Sequence, residues 1–142
     1  MTPDHERFLA AQAGAYPGAL RELRAGHKTG HWIWYVFPQM AGLGRSDLSR
    51  FYGIASLDEA RAYLEHPVLA ARLRECAAAL LAVPGRTAEE ILGPVDAIKV
   101  RSSMTLFLRA DPDEAVFTAV LDRFYGGLPD PRTDELLRAS TD

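Results

Sequence analysis

The residues best suited to chemistry are concentrated in the segment 26–46. Trp32, Trp34, Tyr35 and Phe37 lie within six consecutive positions there, and the chain contains no other tryptophan. Aromatic faces can stack on a base or a sugar ring, or hold a cation. We therefore interpret this aromatic block as one wall of a ligand pocket.

Three polar side chains flank the aromatic block. Lys28 and His31 stand at its start, and Gln39 follows it. An aromatic wall with a few directional polar groups is typical of a small-molecule pocket. Lys28 and His31 can face an anion, and an imidazole can also transfer a proton near neutral pH. The alternative is that the aromatic residues are core and that the polar groups cap loops.

A second stretch, in the last third of the chain, mixes polar and apolar residues in the same way. A helix there places Asp96, Lys99 and Ser103 on one face, because they are separated by three and four residues. Ser102 and Thr105 add hydroxyl groups that can donate to the oxygens of a ligand. The candidate ligand-binding residues are these five side chains together with Lys28, His31, Trp32, Trp34 and Gln39.

Lys99 and Ser103 also have the spacing of a Ser–Lys pair on a helix. In such a pair the lysine is the base that activates the serine nucleophile. His31, Lys99 and Ser103 are therefore the candidate catalytic residues, although no oxyanion element is visible. The alternative is a helical ion pair between Asp96 and Lys99, with the hydroxyls bonded to backbone carbonyls.

No metal site is indicated, and the cofactor, if there is one, is unknown. His27 and His31 are four residues apart, but Gly30 interrupts a helix between them and no carboxylate motif completes a ligand set. Walker, Rossmann and zincin motifs are absent from the sequence. Cys76 lies on the apolar stripe of a predicted helix and is expected in the core.

The length, net charge and cysteine content of the sequence argue against several classes of protein. The 142 residues suit a single domain, 1–142, and the net charge of −3 argues against nucleic-acid binding. No apolar run is long enough to span a membrane, and the N-terminus does not have the pattern of a signal peptide. A single cysteine suits the cytoplasm, where we expect the protein. A small anionic molecule is the expected partner, and the oligomeric state is undetermined.

Helix signals position the aromatic block. The Thr-Pro-Asp motif at 2–4 predicts a helix start, and its apolar stripe continues to about Ala15. Proline ends helices, so a second helix is predicted from Pro17 to Ala25. The aromatic block itself is predicted as a short buried helix that ends before Pro38, because no second convincing strand exists to pair with it.

Caps and prolines predict the remaining helices. Their starts are predicted at Ser46, at capping boxes 56–59 and 87–90, at Pro67 (the longest helix), and at the Asp-Pro pairs 111–112 and 130–131. The total is about eight or nine short helices with short loops. The fold class is therefore all-α, in one compact globular domain.

These residues and motifs resemble those of domain-of-unknown-function family 1810. The most specific blocks are HWIWYVFPQ at 31–39 and SSMTLF at 102–107, and the resemblance covers nearly the whole chain. It implies a mainly helical single domain and no established activity. Some members carry the label calpastatin, which nothing in this sequence supports. Val95 departs from the pattern, which usually has a second acidic residue before Asp96, and this weakens any scheme that needs paired carboxylates.

Two functions remain open from sequence. The first is a small enzyme or binding domain for an anionic, nucleotide-like or sugar-phosphate ligand, with Lys28, His31 and Lys99 converging on the anion. The second is a non-catalytic interaction protein whose two motif blocks are structural. In both cases we expect the aromatic block to contact the segment 99–107, with Trp34 and Ser103 on the same side of the domain, because buried polar groups need partners.

Overall fold

The predicted all-α architecture is present in the computed structural model, which describes residues 4–140. Within this range the chain forms nine helices, and its only strand-like pairing is one isolated bridge. The helices are α1 (Glu6–Ala25), α2 (Ile33–Val36), α3 (Asp47–Tyr52), α4 (Leu57–Glu65), α5 (Pro67–Leu81), α6 (Ala88–Leu92), α7 (Pro94–Ala110), α8 (Ala115–Tyr125) and α9 (Pro131–Ser140). None of them combines the length and the apolar composition needed to cross a bilayer.

Pro17 lies inside α1, so the predicted break into two helices is wrong. Proline removes one helical hydrogen bond. The buried residues of α1, which include Phe8, Gln12, Leu20 and Leu23, nevertheless continue as one stripe through the proline, and α1 packs against α5. Burial of that stripe favours a single helix, which at 20 residues is longer than α5. The predicted start at 2–4 falls mostly outside the described residues.

The aromatic block does form the short helix predicted from sequence. Helix α2 ends one residue before Phe37, which precedes Pro38. Trp32, Ile33, Val36 and Phe37 are buried, whereas Trp34 lies at the edge of the core and is only half-buried. The block therefore has an inner face that belongs to the core and an outer face that can line a pocket.

Several predicted caps are present. Thr87 and Glu90 form a complete capping box, and Ser46 accepts a hydrogen bond from the N–H of Ser49. The box at 56–59 forms only in half, because Glu59 accepts from Ala55 N at 3.1 Å instead of from Ser56. The ninth helix begins at Pro131, as predicted.

The predicted helix start at 111–112 is three residues too early. Asp111 is the C-cap of α7, and its N–H donates to Phe107 O at 2.9 Å. The N–H of Glu114 then donates to Asp111 O at 3.2 Å, which closes a turn before α8. Helix α7 therefore extends to Ala110, and α8 begins only after this turn, at Ala115 with Glu114 as its N-cap.

Helix α7 is the central element and contacts α2, α4, α6, α8 and α9. Its residues 102–107 are all buried. Its first turns, by contrast, are open to solvent at Val95 and Ile98. The exposed half of α7 faces the segment that follows the aromatic block, where residues 39–54 form a loop closed by the bridge between Met40 and Ile54.

Candidate functional site

The aromatic block is in contact with the segment 99–107, as predicted. The ammonium of Lys28 lies 2.7 Å from Asp96 Oδ2, and the ammonium of Lys99 lies 4.8 Å from the ring centroid of Trp34. Each contact joins the aromatic segment to the first two turns of α7. The contacts therefore fix the position of α7 relative to α2.

The ammonium of Lys28 is buried and interacts with groups of the protein itself. Its side chain is only 6% exposed, donates to Gly30 O, and lies 4.9 Å from the ring centroid of Trp32. The second oxygen of Asp96 lies 3.5 Å from Lys99, so the helical ion pair considered from sequence is present. Lys28 and Lys99 thus converge on an anion, and that anion is the carboxylate of Asp96.

Glu22 holds the loop before the aromatic block, a role that sequence reasoning missed. Its Oε1 accepts hydrogen bonds from Thr29 N at 2.7 Å, Gly30 N at 2.8 Å and Trp32 Nε1 at 3.0 Å. Desolvation by itself raises the pKa of Glu22, but these donors outweigh it and lower the pKa to about 2. The sequence does contain a signal for this role of Glu22: a carboxylate near the end of a helix is followed by a glycine-containing loop whose backbone N–H groups need acceptors.

His31 is exposed. It makes no hydrogen bond, ion pair or ring contact with the residues at 4–140, and it lines neither of the pockets described below. The structure therefore does not bring His31 together with Lys99.

Ser102 and Thr105 fasten the start of α9 to α7. Ser102 Oγ donates to Asp130 Oδ2 at 2.9 Å, and the N–H of Asp130 donates to Thr105 Oγ1 at 2.8 Å. The same Oδ2 of Asp130 accepts from the N–H of Thr133 at 3.2 Å and so caps α9. Both hydroxyls that the sequence assigned to a ligand therefore take part in these hydrogen bonds between α7 and the start of α9.

Ser103 is fully buried, and its Oγ has no hydrogen-bond partner among the described residues. Lys99 lies one turn earlier, but its ammonium is directed to Asp96 and Trp34. No bond joins Ser103 to Lys99 in this arrangement. On α7, Ser103 follows Lys99 by four residues and so lies on the same helix face as Lys99 and Asp96.

An open groove runs beside the exposed half of α7, with a volume of about 320 Å³. We call it the outer groove. Helix α7 forms one wall, the segment 39–49 forms the other, and the start of α9 closes one end. The lining residues are Val95, Ile98, Lys99 and Ser102, then Gln39, Leu43, Gly44 and Ser49, then Asp130 and Arg132.

A smaller cavity of about 10 Å³ adjoins the outer groove. We call it the inner pocket. Gln39, Gly44 and Ser49 line both spaces, and the inner pocket is completed by Trp34, Met40, Tyr52 and Gly53. The indole Nε1 of Trp34 is buried and has no hydrogen-bond partner among residues 4–140. The two pockets together form one candidate site.

The residues that line the outer groove carry two positive charges and one negative charge, and each cation also pairs with a carboxylate, Lys99 with Asp96 and Arg132 with Glu135. Lys99 and Arg132 line it as cations, and Asp130 is its one carboxylate. Asp130 Oδ2 already accepts three hydrogen bonds, from Ser102 and from the N–H and Oγ1 of Thr133. Among residues 4–140 no group of three or more possible ligands lies close enough to share a metal ion.

The sequence and the fold both match proteins that are already known. A family model described as "Protein of unknown function (DUF1810)" matches residues 2–137. The chain belongs to this family. It is also similar to the crystal structure of the conserved hypothetical protein Rv1873 from Mycobacterium tuberculosis, with 52% identity and a TM-score of 0.93. That match covers 95% of this chain and 96% of the other.

No curated protein matches the sequence. Membership of the DUF1810 family agrees with the resemblance seen in the motif blocks. The family is described as one of unknown function, and the related crystal structure is that of a hypothetical protein. The function of this DUF1810 protein therefore has to be argued from its own site.

Proposed function

We propose that this protein binds a small anionic ligand in the outer groove, and that a nucleotide is the class that fits best. The observation that carries the proposal is Lys99, whose ammonium lines an open groove and is held between Asp96 and Trp34. A fixed ammonium at the edge of a groove is a ready partner for a phosphate or a carboxylate.

The size and lining of the outer groove suit a small molecule. Its volume of about 320 Å³ lies at the lower end of the range of ligand pockets, roughly 300–1,000 Å³. Val95 and Ile98 are 64% and 67% exposed, and with Leu43 they provide an apolar surface. The ligand is therefore expected to have an apolar part as well as an anionic group.

This apolar surface favours a nucleotide over a sugar phosphate. A base has flat apolar faces that can cover Val95 and Ile98, whereas a sugar presents hydroxyls that need partners. The tryptophans do not offer a free stacking face for the base. Trp32 is 3% exposed, and the ring of Trp34 already carries the ammonium of Lys99.

Binding, and not nucleophilic catalysis, is the activity that we propose. Ser103 is enclosed and is not bonded to Lys99, and His31 lies outside the groove. One buried, unpaired cysteine suits a reducing compartment, so we place this binding function in the cytoplasm.

Calorimetric titration with a nucleoside monophosphate and with a sugar phosphate tests the proposal. We expect the wild type to bind the nucleotide at millimolar concentration or below. Lys99→Met should weaken binding about tenfold or more, because a hydrogen bond to a charged group contributes roughly 1.5–3 kcal/mol. Arg21→Met is the matched control, since it removes one positive charge from an exposed position outside the groove.

Two results would overturn the proposal. One is that neither ligand class binds at millimolar concentration. The other is that Lys99→Met binds as tightly as Arg21→Met. The first result would favour the alternative of a non-catalytic interaction protein, which is supported by the internal pairing of Lys28 with Asp96 and of Ser102 with Asp130.

A further inference from the structure

The two tryptophans differ in how their indole N–H groups are satisfied. Trp32 Nε1 donates to Glu22 at 3.0 Å, whereas Trp34 Nε1 is buried without a partner among residues 4–140. Buried donors in folded proteins nearly always have an acceptor. An indole can only donate, so the missing partner of Trp34 must be an acceptor atom.

Two further donors surround the same space. Ser49 Oγ accepts from Ser46 Oγ at 2.9 Å, which leaves the hydroxyl hydrogen of Ser49 free to donate. The side-chain amide of Gln39 makes no hydrogen bond with the described residues, while its backbone oxygen is fixed by Ile54 N at 2.9 Å. Trp34, Gln39 and Ser49, which line the inner pocket, therefore each carry a group that can donate.

The shape of the inner pocket depends on close packing. A Cβ atom at Gly44 would lie 2.3 Å from Ser49 Oγ, so only glycine allows Ser49 its present position. The volume of about 10 Å³ accommodates roughly one water-sized group. The pocket can therefore receive a single oxygen atom but not a whole phosphate.

We propose that the inner pocket binds one oxygen atom of an oxyanion, a carboxylate or a phosphate, whose remaining atoms lie in the outer groove. Donors from Trp34, Gln39 and Ser49 satisfy the lone pairs of that oxygen. Lys99 adds positive charge, since its ammonium lies 4.8 Å from the ring centroid of Trp34. This inference rests on the proposed function, because Gln39, Gly44 and Ser49 line both spaces.

The indole ¹H–¹⁵N resonances of the ¹⁵N-labelled protein provide the test. The chain has two indoles, and Trp34→Phe assigns the resonances by removing one of them. If that variant does not fold, Ser49→Ala assigns the Trp34 signal through its perturbation and keeps the aromatic wall intact. Inorganic phosphate and acetate are then titrated separately into the wild type.

We expect the Trp34 resonance to shift and saturate with one or both anions. The Trp32 resonance should stay in place, because Glu22 already accepts its N–H. A response to phosphate alone, or to acetate alone, identifies the oxyanion. Ser49→Ala should weaken the response, whereas the matched control Ser140→Ala, at an exposed position on α9, should leave it unchanged.

The outcomes separate this inference from the proposed function. If nucleotide binding depends on Lys99 but the Trp34 resonance does not move with any anion, the inner pocket has no role and the inference is wrong. If simple anions shift the Trp34 resonance but no nucleotide binds, the inference about the inner pocket is supported. The proposal that the outer groove binds a nucleotide is then wrong. Absence of any shift with phosphate and acetate at high millimolar concentration also overturns the inference.

Discussion

Lys28 Nζ lies 2.7 Å from Asp96 Oδ2, and this ion pair fastens the loop before α2 to the first turn of α7. The same loop is held from a second direction, because the N–H of Lys28 donates to Ile91 O at 2.8 Å. One residue therefore joins the aromatic segment to both α6 and α7. The sequence predicted that Lys28 contacts a ligand. In the structure its ammonium pairs with Asp96 and so holds this loop against α7.

We expect Lys28→Met to destabilise the fold, because it leaves the carboxylate of Asp96 with only the more distant Lys99. Loss of one partner of a buried ion pair costs about 3–5 kcal/mol, and we expect the lower end because Asp96 remains partly exposed and keeps Lys99 at 3.5 Å. Urea unfolding measures the effect. The double variant Lys28→Met with Asp96→Leu should be more stable than Lys28→Met alone, since it removes the carboxylate that has lost its nearer partner and leaves only Lys99, which is partly exposed, without an ion pair. An equal loss in both would contradict this account.

Glu22→Gln should change how stability depends on pH. The folded pKa of Glu22, about 2, is lower than the ordinary value of 4.5, so its ionised form stabilises the protein above pH 4.5. That stabilisation is lost as the pH falls from 4.5 towards 2. We expect the wild type to lose more stability than Glu22→Gln across this window, as measured by urea midpoints at each pH. Parallel curves for the two proteins would show that Glu22 is not the group responsible.

Trp32→Ala should destabilise the protein more than Trp34→Ala. Trp32 is almost fully buried and bonds Glu22, and truncation of a buried aromatic residue costs about 3–5 kcal/mol. Trp34 is half-buried, so less apolar surface is lost. Thermal or urea unfolding of the two variants gives the comparison. Equal losses would mean that Trp34 contributes to the core as much as Trp32 does.

Ile98→Glu should abolish anion binding without unfolding the protein. Ile98 is 67% exposed on the α7 wall of the outer groove, so a carboxylate there repels an anionic ligand at little cost to packing. Val68→Glu is the control, because Val68 is an exposed apolar residue outside the groove. Calorimetry with the nucleotide, together with circular dichroism, checks both variants. Undiminished binding in Ile98→Glu would remove Ile98 from the site.

Local chemistry accounts for the parts of the fold that sequence predicted correctly. The capping box at 87–90 and the Asp-Pro pair at 130–131 satisfy backbone donors within a few residues, so their signals need no distant partner. The failures at Pro17 and Asp111 have the opposite cause. Helix α1 continues through Pro17 because its buried stripe packs on α5. Helix α7 extends to Ala110, so α8 begins only after the turn in which Glu114 N donates to Asp111 O.

The candidate site was predictable in outline but not in its pairings. The sequence indicated that the aromatic segment and α7 meet, because each has polar groups that need partners. It could not indicate that Asp96 forms an ion pair with Lys28, or that Asp130 accepts a hydrogen bond from Ser102. In each case the two residues are far apart in the sequence. The groove residues Val95, Ile98 and Arg132 were missed for the same reason.

The bridge between Met40 and Ile54 makes one end of the 39–49 wall of the groove more firmly held than the other. Two hydrogen bonds, Ala41 N to Ile54 O at 2.8 Å and Ile54 N to Gln39 O at 2.9 Å, anchor Gln39, whereas α3 has no buried residue. Amide hydrogens of α3 should therefore exchange with solvent through small local openings, and those of Ala41 and Ile54 only through larger ones. Ser49 lies on the segment that opens easily and Gln39 on the one that does not, so a ligand would meet a yielding part and a rigid part of the same wall.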